Sequence, residues 1–210
     1  MKRCRALRAP RARRLTLALA ALLAFGAAVG AGGCSSDTAT PTTPYTAVPI
    51  GPTGWPNGTV GQYGLHIDPS LLARLPQFVG AEPVTEDPLA EQLAMDQADM
   101  QKTFDAYAAA KVGDLGNTDW LKIVMGRFVA GSSTPDMLQS WQASYAQIGC
   151  SQADGVASNS QQTIKDWLVD VSVCSGGPTV YTLSLGSGVV VSILGFGPKD
   201  LGRRLIEALY

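Results

Sequence analysis

The chain has 210 residues, of which 46% are hydrophobic and 16% are charged, and its formal net charge is −1. Seven of the 16 basic residues lie within the first 14 positions, which hold no acid, so the rest of the chain carries nine basic and 17 acidic residues. This acidic remainder excludes the basic surface that binds nucleic acid, and it excludes attachment to anionic lipid through lysine and arginine.

The N-terminal segment is basic, then apolar, then built from small residues. An uncharged apolar run covers residues 15–29, and residues 30–33, which are glycine and alanine, lead from it to Cys34. A run of this length suits the core of a signal peptide and falls short of the roughly 20 residues that a membrane-spanning helix needs. The segment therefore predicts export, with a signal peptide over residues 1–33.

The same segment resembles the signal peptide and lipobox of bacterial lipoproteins, with Gly32 and Gly33 as the small pair before Cys34. Ala31 departs from the family pattern, which usually has leucine or another branched aliphatic residue at that position. The resemblance covers residues 1–34 and implies cleavage before Cys34 and a diacylglycerol thioether on its sulfur. It also implies a protein anchored by lipid at the outer face of the cell membrane. The alternative is an ordinary secretory signal peptide cut near Ala31.

The export route stays open at this point. Arg13 and Arg14 stand next to each other before the apolar run, as in a twin-arginine signal, but adjacent arginines are expected by chance in so basic a segment. General secretion of the unfolded chain suits a protein whose disulfide forms after export.

Residues 34–60 are dominated by serine, threonine, proline and glycine. Such a segment cannot bury enough apolar surface to offset the entropy lost on ordering. We therefore predict a tether over 34–60 that lifts a domain off the membrane surface. The domain itself is predicted to be single and to span residues 61–210, a length that supports a hydrophobic core.

Proline follows a plausible capping residue at four places in the domain, which predicts four helix starts. Proline at the first helical position gives up only an amide that has no partner, and aspartate or threonine before it accepts from the exposed amides. The predicted helices cover residues 69–75, 88–110, 135–148 and 198–210. Leu138, Trp141 and Tyr145 recur at helical spacing and mark the buried side of the third helix.

Between and after the helices, β-branched and aromatic residues predict strands. The clearest cover residues 120–129, 167–174, 179–185 and 189–196, and residues 156–163 offer one more. Glycine-rich turns join the last three of the four clear strands, which predicts a C-terminal antiparallel meander with one or two further strands beside it. Helices packed over one face of such a sheet give an α+β fold.

Cys150 and Cys174 are the two cysteines of the predicted domain. An exported protein meets an oxidising compartment, so we predict a disulfide between them, tying the end of the third helix to the meander. Their pairing would leave Cys34 as an odd thiol, a liability that acylation removes. The alternative is a pair of buried free thiols.

Catalytic and metal-binding signals are sparse, and we predict no catalytic residue, cofactor or metal. The only histidine, His66, precedes a helix cap and suits a surface or capping role. Residues 186–188 read as a hairpin turn rather than a nucleophile elbow, and residues 195–197 lack the lysine of a phosphate loop. Asp114 and Asp119 flank a loop without the spacing of a calcium site, which favours a polar turn.

These observations favour a non-enzymatic lipoprotein that binds a small ligand or an envelope protein at the membrane surface. The alternative is a cell-envelope hydrolase that uses carboxylates such as Asp119 and Asp170 without a recognisable motif. A third possibility is a structural role without a small ligand. Two buried acids converging in a cleft would favour the enzyme.

Overall fold

The structure is a computed structural model, and it describes residues 64–210. The predicted signal peptide over 1–33, Cys34 with its predicted lipid, and the predicted tether over 34–60 lie outside these residues. The described part of the chain forms an antiparallel sheet with several helices and one disulfide.

Strands and helices alternate irregularly along the described residues. The strands are β1 (His66–Ile67), β2 (Phe78–Val79), β3 (Glu82–Glu86), β4 (Phe104–Val112), β5 (Trp120–Phe128), β6 (Val156–Ile164), β7 (Trp167–Cys174), β8 (Thr179–Gly186) and β9 (Val189–Phe196). The helices are a 3-10 helix (Pro69–Arg74), α1 (Pro88–Met95), α2 (Ala98–Thr103), α3 (Pro135–Gly149) and α4 (Leu201–Glu207).

The strands lie in the order β2-β3-β4-β5-β9-β8-β7-β6, and each neighbouring pair in this order is antiparallel. The short β1 pairs parallel with β4, at Ala106 and Tyr107. β3 pairs with the far end of the same strand, at 110–112. β5 pairs with one side of β4, so β1 and β3 both pair with the opposite side. They pair with different parts of β4 and leave a gap between them.

Both faces of the sheet carry a hydrophobic core. On one face, here called the α4 face, side chains of the strands cluster with the 3-10 helix and α4; the cluster includes Leu71, Ala108, Ile123, Val171, Leu183, Ile193, Leu205 and Ile206. On the other, here called the α3 face, they cluster with α1, α2 and α3; the clusters include Met95, Met100, Phe104, Tyr107, Trp141, Ala146, Val180, Val190 and Leu194. The expectation that helices cover one face only is therefore wrong.

The predicted helix over residues 88–110 is also wrong beyond residue 103. The chain forms α1 and α2 there and then enters β4, which is almost wholly buried. A strand buried on both faces shows no alternation of polar and apolar residues, so its alanines resemble a helix in sequence. The Phe104 ring of β4 packs directly on Gly126 of the neighbouring β5, because a Cβ at Gly126 would lie 2.5 Å from this ring.

Three of the four predicted helix starts are confirmed. Asp68, Asp87 and Thr134 each accept a hydrogen bond from an amide of the first turn, and proline follows each of them. The fourth start is wrong, because Gly197 adopts φ +109° and the chain enters α4 only after Asp200, whose carboxylate accepts from the Arg203 amide.

The strand predictions agree with the structure from residue 120 onwards, whereas β1 to β4 were not predicted. The strands predicted over 120–129, 167–174, 179–185 and 189–196 are confirmed as β5, β7, β8 and β9, and residues 156–163 lie in β6. The meander is therefore confirmed, while the expected one or two additional strands are too few for a nine-stranded sheet.

The predicted disulfide joins Cys150 to Cys174, with Cα atoms 5.1 Å apart. Cys150 caps the C-terminus of α3 and Cys174 ends β7, so the bond ties this helix to the sheet. Within the described residues no helix is long and apolar enough to cross a membrane.

Candidate functional site

The two carboxylates predicted for a hydrolytic site lie apart. Asp119 accepts a hydrogen bond from the Lys199 amide at 2.8 Å, beside the helix on the α4 face. Asp170 accepts from the Gln142 side chain at 2.6 Å, and Gln142 belongs to α3 on the opposite face. The structure therefore does not bring Asp119 and Asp170 to one site.

Asp119 has a structural role in joining the loop before β5 to the loop after β9. Its side chain is only 9% exposed and lies 3.6 Å from the Lys199 ammonium, in addition to its bond with the amide of that residue. A Cβ at Gly197 would lie 2.3 Å from the Thr118 carbonyl oxygen, so the two loops touch without intervening side chains. These contacts position the start of α4.

The other residues singled out from the sequence lie at separate places. His66 is half-buried in β1, opposite Ala106. Residues 187 and 188 form the turn between β8 and β9, directly after Gly186 ends β8, so the predicted hairpin turn is confirmed. Residues 195–197 end β9 and enter the loop before α4. Within residues 64–210 there is no group of three or more histidine, cysteine, aspartate or glutamate side chains placed to hold a metal ion.

A different group of polar side chains meets on the α3 face, where α1 and α3 flank β4. Tyr107 of β4 is 4% exposed and packs in the apolar cluster that these helices share. Its hydroxyl makes no hydrogen bond within residues 64–210, yet no buried side-chain nitrogen or oxygen there lacks a partner. The Tyr107 hydroxyl therefore reaches solvent-accessible space, although its ring is buried.

Tyr145 of α3 lies close to Tyr107. Burial raises the pKa of Tyr107 well above 10, and the neighbouring Tyr145, Glu91 and Asp87 raise this pKa further. Burial likewise raises the pKa of Tyr145, whose hydroxyl also makes no hydrogen bond within the described residues. Both phenols are therefore protonated at neutral pH and available as hydrogen-bond donors.

Aromatic contacts hold Tyr145 in place. Its ring lies 5.6 Å from that of Trp141, which meets Phe104 edge to face at 4.8 Å. The Trp141 indole nitrogen donates to the Ser192 hydroxyl of β9 at 2.9 Å. These contacts anchor α3 to the sheet through apolar rings and one polar bond, and they present the Tyr145 side chain towards β4.

Glu91 of α1 supplies a carboxyl group at the same place. It is 3% exposed, and its Oε1 accepts a hydrogen bond from the Ala109 amide at 3.1 Å. That amide lies in the gap between β1 and β3, where β4 has no strand partner on this side among residues 64–210. Burial raises the pKa of Glu91, the bond from Ala109 opposes this shift, and Glu86 and Asp87 add to it.

We call Glu91, Tyr107 and Tyr145 the tyrosine–glutamate site. It combines two phenol donors with one oriented carboxyl group in an otherwise apolar layer. The sequence does not reveal it, because Glu91 reads as one acid of a solvated helix face and Tyr107 as part of a buried helical stripe. One feature of the sequence could have indicated Tyr107 and Tyr145. Each is the residue with a polar group in a row of buried aromatic residues, and a buried tyrosine usually has a hydrogen-bond partner for its hydroxyl.

Comparison of the chain with protein-family models, with curated proteins and with solved structures found no match.

Proposed function

We propose that this chain is a lipoprotein, anchored through Cys34 at the outer face of the cell membrane, whose domain binds a small, uncharged, hydroxyl-bearing ligand without catalysing its conversion. The observation that carries the binding function is the pair of tyrosine hydroxyls that make no hydrogen bond within residues 64–210, beside the buried Glu91 carboxyl. Phenol hydroxyls that reach solvent-accessible space beside a buried carboxyl group are free to bond to a ligand or to water.

The chemistry of the tyrosine–glutamate site favours binding over catalysis. Raised pKa values keep Tyr107 and Tyr145 protonated at neutral pH, which makes them hydrogen-bond donors rather than bases or nucleophiles. Glu91 offers a single carboxyl group whose Oε1 already accepts from the Ala109 amide. This donor and acceptor set matches the hydroxyl groups of a polyol or sugar.

The charge of the domain favours an uncharged ligand. Residues 64–210 contain nine basic and 16 acidic residues. An anion approaching the site meets this negative field and the Glu91 carboxyl, while within residues 64–210 no group of three or more histidine, cysteine, aspartate or glutamate side chains is placed to hold a metal ion. The rings of Trp141 and Tyr145 offer apolar faces against which the carbon atoms of a sugar ring can pack.

The alternative, a hydrolase built on Asp119 and Asp170, receives less support. Glycoside hydrolysis, the best-known reaction of this kind, places two carboxyl groups on either side of one bond, about 5 to 9.5 Å apart. Asp119 bonds to the loop before α4 and Asp170 to α3, on opposite faces of the sheet. The amide of Gln161 also donates to Asp170 at 3.4 Å, which leaves this carboxylate a structural role.

Ligand binding is tested on the full-length protein in detergent with ¹³C-labelled tyrosine, followed by NMR during titration with glucose, myo-inositol and glycerol. We expect a saturable shift of the Tyr107 and Tyr145 signals with at least one of these probes. The double variant Tyr107→Phe/Tyr145→Phe lacks both signals, so its affinity is compared with that of the wild type by isothermal titration calorimetry. It should bind about thirtyfold more weakly, because each of the two lost hydrogen bonds contributes about 1 kcal/mol.

Tyr210→Phe is the matched control, because this residue is 81% exposed. It should leave the affinity unchanged. The proposal is wrong if none of the three probes shifts the two tyrosine signals, or if the double variant binds as tightly as the wild type.

Membrane anchoring is tested separately by Cys34→Ala, with Ser36→Ala as the control. Fractionation should find the Cys34→Ala protein released from membranes or uncleaved, since removal of the thiol leaves no site for the lipid. The Ser36→Ala protein should stay in the membrane fraction. A cleaved Cys34→Ala protein that still sediments with membranes would contradict the proposed lipid anchor.

A further inference from the structure

The two edges of the sheet differ in how well they are guarded against pairing with another chain. One edge ends in β2, which has two residues, and the adjoining β3 carries Glu82, Pro83 and Glu86. Short edge strands, proline and charge are the usual devices that keep an edge from pairing. The other edge is β6, with nine residues that include no proline and no charge.

β6 is also open on its outer side. Within residues 64–210 it pairs only with β7, and its residues from Ala157 to Thr163 are exposed to solvent. A long, neutral and uncovered strand at an edge is a template for a further strand. Only the irregularity in pairing between Val156 and Ser158 interrupts it.

The hairpin geometry tells which backbone groups of β6 point outward. Ile164 and Trp167 close a two-residue turn, and the pair that closes such a turn exchanges hydrogen bonds. Because bonded and non-bonded pairs alternate along the ladder, Ser160 and Gln162 also direct their backbone groups to β7. The backbone N–H and C=O groups of Asn159, Gln161 and Thr163 therefore point away from the sheet.

We propose that β6 pairs antiparallel with β6 of a second copy of this chain, forming a two-fold dimer with one continuous sheet. The sequence of β6 is compatible with pairing to a second β6. With the two-fold axis at Ser160, Asn159 of one copy lies opposite Gln161 of the other. This places amide opposite amide and brings no like charges together. The inference is independent of the proposed ligand.

Charge makes this strand the favoured place for two copies to meet. Residues 64–210 carry nine basic and 16 acidic residues, so two copies repel each other across most surfaces. The nine residues of β6 add no charge to that repulsion. Because the β2 edge is guarded, pairing at β6 closes after two copies and does not continue into a filament.

Cysteine cross-linking tests the pairing in the full-length chain. Ser160→Cys places a thiol at the two-fold axis, in a pair whose Cα atoms lie about 4.5 Å apart, within disulfide range. We expect a disulfide-linked dimer on non-reducing gels. Thr85→Cys is the matched control, because Thr85 is exposed on β3 beside the guarded edge, and it should stay monomeric.

Sedimentation velocity of the detergent-solubilised protein gives the second test. Gln161→Pro removes an outward-pointing N–H and leaves the ladder to β7 intact, so its thermal unfolding should stay near that of the wild type. We expect the wild type to sediment as a dimer and Gln161→Pro as a monomer. A monomeric wild type, a dimeric Gln161→Pro protein, or Ser160→Cys linking no better than Thr85→Cys would overturn the proposal.

Discussion

If the tyrosine–glutamate site is open, two buried tyrosines should differ in how much stability is lost when the hydroxyl is removed. Tyr181 donates to the Asp200 carboxylate at 2.5 Å, which caps α4. Its ring packs against Gly202, where a Cβ would lie 2.5 Å from the ring. Tyr107 packs with equal burial on the other face of the sheet, but its hydroxyl has no partner within the described residues.

The expected magnitudes follow from these contacts. A hydrogen bond to a charged group contributes about 1.5 to 3 kcal/mol to stability, and Asp200 lies at an exposed helix end, which favours the lower figure. Phenylalanine keeps the ring packing at both positions. Tyr181→Phe should therefore lower the free energy of unfolding by about 1.5 kcal/mol, while Tyr107→Phe should change it by no more than about 0.5 kcal/mol.

Urea unfolding with the disulfide intact measures both variants against the wild type. With a slope of about 2 kcal/mol per molar urea, Tyr181→Phe should lower the midpoint by roughly 0.7 M, and Tyr107→Phe should leave it nearly unchanged. If Tyr107→Phe destabilises as much as Tyr181→Phe, the Tyr107 hydroxyl has a protein partner in solution. The site would then lack the open donor on which the proposed function depends.

Three further changes test the buried Glu91 carboxyl, the disulfide and the loop before α4. Glu91→Gln should raise the free energy of unfolding at pH 7, because burial raises the pKa of Glu91 and ionisation above that pKa costs stability. The advantage should shrink as the pH falls towards the ordinary value of 4.5, and an equal advantage in urea titrations at pH 7 and pH 4.5 would contradict it. Replacing Cys150 and Cys174 by alanine should cost about 3 kcal/mol through the lost constraint on the unfolded chain, and an unchanged urea midpoint would refute that estimate. Gly197→Ala should lower the melting temperature far more than Gly131→Ala, because both have positive φ but only Gly197 has backbone within 3 Å of the new Cβ; similar shifts for both would show that this loop yields.

Local signals in the sequence predicted much of the outer structure. Three helix starts could be predicted from their capping residues, Asp68, Asp87 and Thr134, because a cap and the proline after it act within one turn of the chain. The meander strands could be predicted because turn residues separate short runs of β-branched residues. β1 and β2 could not, since two-residue strands exist only through their pairing with β4 and β3.

The entry to α4 shows how a tertiary contact overrides a local pattern. Gly197-Pro198 suggests a helix start, but Asp119 accepts from the Lys199 amide and holds this segment against the loop before β5. Asp200 then takes the capping role with a left-handed backbone, φ 48°. The residue that decides the helix start lies 80 positions away in sequence, beyond the reach of any local signal.

The same limit explains why the candidate site was hidden. In one helix over residues 88–110, Glu91 and Tyr107 would stand sixteen residues and about 24 Å apart, because a helix rises 1.5 Å per residue. In the structure the chain leaves α2 at Thr103 and runs back as β4, so that the Glu91 carboxyl reaches the Ala109 amide. This amide is free to donate only because β1 and β3 stop on either side of it. The site thus forms because β4 is buried between two layers of helices. A sequence pattern that assigns the alanines of β4 to a helix places Glu91 and Tyr107 far apart, whereas the fold brings them together.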